Sequence, residues 1–118
     1  MPSPAPTPRQ WTFLSNHAHV LICLAQQPDS RLRDVASSVG ITERAVQKII
    51  GDLEEAGIVL RQRSGRRNSY RLDVQAPLRH KLEAHRNVQA LLSLVLDRAA
   101  LHKLISLPQA ANPGRRTP

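Results

Sequence analysis

Aromatic side chains are nearly missing from this chain, which holds one Trp, one Tyr and one Phe among 118 residues. Proteins that grip single-stranded nucleic acid by stacking bases need several aromatics on one surface, so that class fits poorly. Cysteine is as scarce. The lone Cys23 excludes an internal disulfide framework, in keeping with a reducing compartment. It sits inside the apolar run Val20 to Ala25, where a single thiol reads as a small buried hydrophobe rather than a ligand or redox switch. The histidines, His17, His19, His80, His85 and His102, have no spacing that compels a metal site, which needs three or four converging ligands. No metal and no cofactor are expected. Also absent are a phosphate-cradling glycine loop, a usable Cys/His nucleophile pair and a carboxylate pair in apolar surroundings. Adjacent Glu54 and Glu55 read as the solvated end of a helix, and an enzyme is not expected.

Acidic residues are outnumbered, with 9 Asp and Glu against 17 Lys and Arg, for a formal net charge of +8. That balance favours polyanions, either nucleic acid or an anionic membrane surface. Of the basic residues 14 are arginine, whose planar fork suits phosphates and guanine edges better than an ammonium does. An arginine-rich genome would write the same excess, so charge alone does not decide. A membrane span needs roughly 20 clean apolar residues. Asp97, Arg98, His102 and Lys103 interrupt the only long apolar stretch, and no membrane partner is expected.

What is present is a patterned segment between Leu32 and Leu72. Val35, Ala36 and Val39 lie on one helical face, and Gly40 supplies the positive φ that stops a helix. Ile41 fills the inside of the turn, and Thr42 can cap a second helix over residues 42–56. At 100° per residue, Ala45, Val46, Ile49, Ile50, Leu53 and Ala56 share one sector, opposite Arg44, Gln47, Lys48, Gly51 and Glu55. The free face is basic and amide-bearing in its first half and acidic in its last turn. Only the first half suits phosphates and bases, and that end of a recognition helix enters the major groove.

Gly57 closes this helix, and two short strands follow, about residues 59–63 and 69–72. Ser64, Gly65, Arg66, Arg67 and Asn68 join them as a five-residue loop of turn chemistry. Arg61, Arg63, Arg66, Arg67 and Arg71 lie in this hairpin, where arginines can follow phosphates or enter a narrow minor groove. They could instead keep an exposed edge strand soluble. Helix, turn, helix and hairpin together make the plan of a winged helix-turn-helix.

The run DVASSVGITERAVQKIIGDLEEAGIVLRQRSGRRNSY, residues 34–70, resembles the DNA-binding domain of small bacterial winged helix-turn-helix regulators of the ArsR-like and MarR-like group. The resemblance covers about a third of the chain closely. It implies a homodimer on a partly palindromic operator in double-stranded DNA, usually acting as a repressor. It also implies that Thr42, Glu43, Arg44, Gln47 and Lys48 read bases and that Arg66 and Arg67 form the wing contact. The clustered ligands of metal-sensing ArsR-like members are missing. An effector, if there is one, would be a small molecule of unknown identity. The alternative is a winged-helix module that contacts protein instead of specific DNA.

The expected organisation has four parts. Residues 1–10, MPSPAPTPRQ, form a disordered arm with neither a secretory signal nor a lipidation motif, and a cytoplasmic, nucleoid-associated protein is expected. Residues 11–76 form the DNA-binding domain. It opens on a helix over residues 15–27, and Arg31 with Leu32 offers a short third strand for the wing sheet. Residues 77–107 carry the C-terminal dimerisation helix, some seven turns from about residue 82 to 107, and residues 108–118 a flexible tail. Leu82, Val88, Leu91, Leu92, Val95, Leu96 and Ala99 stripe that helix, more apolar surface than one small domain can cover. The stripe is expected to pair with its copy in a two-fold dimer, with Trp11 and Phe13 packed against it. The expected fold class is thus mainly α with a small β-wing, extended by a long C-terminal dimerisation helix.

Overall fold

The computed structural model describes residues 11–106; the expected arm at 1–10, the last residue of the expected long helix at 107 and the expected tail at 108–118 lie outside the described residues. Helix α1, Asn16–Gln26, starts where Ser15 accepts a hydrogen bond from the Ala18 amide at 3.2 Å. It is the central pillar of the core and buries Ala18, Val20, Leu21, Ile22, Leu24 and Ala25. Helix α2, Leu32–Val39, buries Val35 and Ala36 and ends at Gly40, whose φ of +87° lies in the left-handed region. The Gly40 amide closes on the Ala36 carbonyl at 2.8 Å.

Helix α3, Glu43–Glu55, is capped by Thr42, whose hydroxyl accepts from the Ala45 amide at 3.0 Å. Val46, Ile49, Ile50 and Leu53 are buried against α1 and α2, as their spacing requires. The helix closes with two bonds, Ile58 amide to Leu53 carbonyl and Gly57 amide to Glu54 carbonyl, and buried Ile58 packs under the turn. This Schellman closure satisfies carbonyls that would otherwise be orphaned.

Strands β1, Val59–Ser64, and β2, Arg67–Leu72, pair antiparallel, with Ser64 opposite Arg67. The joining loop is therefore two residues, Gly65 and Arg66, where five were expected. Gly65 has φ +63° and Arg66 does not have a positive φ, the pattern of a type II′ turn with glycine first. That turn matches the twist of the strands, which lets both run on to the tip. The third strand expected at Arg31 and Leu32 is not formed: Arg31 is the N-cap of α2, and Leu32 begins the helix. What stands in its place is one backbone bond, from the Tyr70 amide to the Pro28 carbonyl at 2.9 Å.

The single long helix expected beyond residue 77 is corrected by the structure. Residues 77–87 form turns bridged by Pro77 and Asn87, followed by α4, Val88–Ser93, and α5, Arg98–Ser106. The breaks have a local cause. Asn87 accepts from the Ala90 amide at 2.9 Å and Asp97 from the Ala100 amide at 2.7 Å, so each starts a new helix. The apolar stripe splits accordingly. Val88, Leu92 and Leu96 are buried in the protomer's own core with Leu72, Val74 and Leu104, and Leu91 is half-buried beside them. Leu82, Val95 and Ala99 remain exposed. Trp11 and Phe13, also exposed, meet each other edge to face with ring centroids 4.8 Å apart.

Because Leu92 is fully buried, Leu92→Ala should destabilise the folded protomer by about 2 to 5 kcal/mol. Urea unfolding at several protein concentrations checks this. A small loss, or one that appears only at concentrations where chains associate, would return Leu92 to a dimer contact.

Candidate nucleic-acid interface

The outward face of α3 is set by its buried one. With Val46, Ile49, Ile50 and Leu53 turned to the core, the 100° step leaves Arg44, Gln47, Lys48 and Gly51 exposed on one side, with Thr42 and Glu43 exposed at its start. The N-terminal half of the helix thus brings together all five residues expected to read bases. Glu43 lies in the first turn, where a carboxylate meets the positive end of the helix dipole.

One member of this surface, Lys48, has an acid beside it. Asp52 Oδ2 lies 2.8 Å from His17 Nε2 on α1 and 3.7 Å from Lys48 Nζ one turn earlier on α3. The His17 hydrogen bond, opposed by desolvation and helped by the Lys48 charge, holds the Asp52 carboxyl below the usual carboxylate range. Lys48 keeps a side chain 78% accessible and can leave this weak pair for a phosphate. Nothing in the spacing of residues 17 and 52 announces the bridge, since 35 residues of chain must fold before they meet.

The hairpin arginines do not form one surface. Alternation places Arg61 and Arg63 on the face of Val59, Tyr70 and Leu72, and Arg67 and Arg71 on the face of Leu60 and Gln62, with Arg66 at the tip. Arg61 donates to Glu54 Oε1 at 2.8 Å and Arg67 to the Asp29 carbonyl at 2.7 Å. Among the described residues, no ion pair or hydrogen bond engages the side chains of Arg44, Gln47, Arg63, Arg66 or Arg71. Two further exposed cations, Arg31 and Arg33 at the start of α2, were not among the expected contacts. The short strand expected at Arg31 and Leu32 had set them apart from the helical surface.

Away from this face, an open groove of about 820 Å³ lies between the start of α1, the end of α3 and residues 78–91. Leu21, Leu53, Val88 and Leu91 give it apolar walls, and His17, Asp52, Arg79, His80 and Glu83 a charged lining. Burial pushes the Cys23 thiol up, which keeps it protonated. Among the described residues no group of three or more His, Cys, Asp or Glu is set to hold a metal ion, and no helix is long and apolar enough to cross a membrane.

Residues 15–67 match the model of the MarR family, described as such over just under half of the chain. The match begins at the cap of α1 and ends on the first residue of β2, so it spans the three helices and the rising strand. Among curated proteins, and among solved structures, no match was found.

Since the Asp52 pKa is lowered in the folded chain, its pairing stabilises the fold above the usual carboxylate range and is lost as pH falls through the lowered value. Asp52→Asn should therefore lower stability at pH 7 and narrow its gap to the wild type at pH 3. Urea midpoints at the two pH values check it; a gap that widens in acid would contradict the pairing.

Proposed function

On the premise that residues 15–67 form a MarR-like winged helix-turn-helix, we propose that this protein is a transcriptional regulator that binds double-stranded DNA as a homodimer. The observation that carries the reading is the first half of α3, a polar and basic face standing free on a helix whose other face is locked in the core. Helix α3 enters the major groove from its Thr42 end. Arg44 and Gln47 reach base edges, flanked by Thr42 and Glu43, and Lys48 takes a phosphate. Arg66 at the wing tip meets the adjacent minor groove, with Arg63 and Arg71 behind it on opposite faces of the hairpin.

Exposed Leu82, Leu94, Val95 and Ile105, with Trp11 and Phe13, supply the apolar surface a second copy would cover. A two-fold pair sets the two α3 helices for half-sites roughly 34 Å apart. The output is repression, in a bacterial cytoplasm at the nucleoid. A small-molecule effector, where one acts, would occupy the groove at the end of α3, because that site touches the same helix that reads DNA.

Fluorescence anisotropy on the DNA upstream of the protein's own gene, against a scrambled duplex and over a salt series, tests this. The upstream fragment should bind more tightly, with a slope of about −0.9 per phosphate neutralised. Arg44→Ala should relax preference at one base position by about 1 to 3 kcal/mol, and Arg66→Ala should weaken all sequences alike. Binding that ignores salt and Arg44 would point to a protein-contact module instead. In sedimentation, Val95→Glu should shift the protein from dimer to monomer; a monomeric wild type would refute the dimer.

A further inference from the structure

A two-stranded hairpin is marginal in water by itself and takes its orientation from what it touches. Val59, Tyr70 and Leu72 pack the base of this one into the core, and three polar contacts tie it to the helical body. Arg61 pairs with Glu54 at the end of α3, the Tyr70 amide donates to the Pro28 carbonyl, and the Arg67 guanidinium donates to the Asp29 carbonyl at 2.7 Å. Of the three, the Arg67 contact lies nearest the tip. Arg67 is the first residue of β2, opposite Ser64 and adjacent to Arg66 in the turn. Pro28 and Asp29 belong to the loop between α1 and α2, so the bond joins the tip end of the wing to the helical body.

We propose that Arg67 is a positioning residue for the DNA interface: it fastens the wing to the loop between α1 and α2 and so holds Arg66 in place, without itself taking a phosphate. This rests on the DNA-binding reading. A guanidinium donating to a neutral carbonyl makes a charge-assisted bond, stronger than an ordinary amide pair. The acceptor belongs to the backbone, so Arg67 is directed inward by the path of the loop. Without the bond, the tip would have to be ordered when DNA binds, and that cost falls on affinity. Counterion release would not change, because the number of phosphates neutralised stays the same. Loss of a phosphate ligand has the opposite signature, a flatter salt slope.

The test uses the full chain and a mixed-sequence duplex of about 30 base pairs, with anisotropy measured over a salt series for wild type, Arg66→Ala, Arg67→Ala and Arg67→Gln. Amide exchange at Tyr70 is followed by NMR without DNA. Arg67→Ala should bind roughly tenfold more weakly with the wild-type slope, since a hydrogen bond to a charged donor is lost. Arg67→Gln, uncharged but still able to donate, should recover part of the affinity, while Arg66→Ala should flatten the slope by about one. The Tyr70 amide should exchange about tenfold faster in Arg67→Ala and at the wild-type rate in Arg66→Ala. A flattened slope in Arg67→Ala, with Gln no better than Ala, would make Arg67 a phosphate ligand and overturn the proposal, as would unchanged Tyr70 exchange. If the wild type binds no duplex, the DNA reading fails, and Tyr70 exchange still decides whether Arg67 holds the wing.

Discussion

Val46, Ile49, Ile50 and Leu53 press one side of α3 into a core built around α1, and what the helix can present to solvent follows from that contact. The four side chains fix the rotation of the helix about its own axis. A rotation of one residue would bury Arg44 or Gln47 and turn an aliphatic residue to solvent, which the cost of hiding an unpaired guanidinium forbids. The Schellman closure at Gly57 and Ile58 then sets where the hairpin departs. Helix α3 and the hairpin are held by the same core, so their relative placement is a property of packing more than of the surface residues.

Much of this was readable in the residues because it is local. Thr42 caps, Gly40 and Gly57 stop, and the 3.6-residue period of α3 separates core from surface without reference to the rest of the chain. The hairpin was legible in kind, but its loop length was not: Gly65 allows a two-residue turn, and Ser64 and Arg67 join the ladder instead of the loop. The errors arose where a local signal competes with a long pattern. The leucine and valine stripe from Leu82 to Ile105 keeps a helical period across Asn87 and Asp97, yet both side chains cap the helix that follows them. The caps prevailed, and Val88, Leu92 and Leu96 became part of the protomer core. Contacts between distant segments, His17 with Asp52 and Arg67 with Asp29, left no trace in spacing.

The polar groups around α3 have different duties at its two ends. Near Thr42 the exposed side chains are uncommitted and suited to a ligand. Toward Glu55 they are engaged inside the molecule, Asp52 with His17 and Glu54 with Arg61, and they tie the helix to α1 and to the wing. Acids at that end would repel phosphates, and Lys48 and Arg61 offset part of the charge they carry. The groove beside Asp52 and Leu53 touches this engaged end, so a molecule bound there would meet the helix without covering its free N-terminal face.

The central claim is that the Thr42 end of α3 sits in a major groove. Methylation interference, on duplexes selected by the protein from a random pool, tests it most directly, because methylated guanine N7 projects into the major groove and methylated adenine N3 into the minor. The account predicts guanine interference in two patches about one helical turn apart, with adenine interference only where the wing lies. Full binding to DNA methylated at every guanine would contradict it.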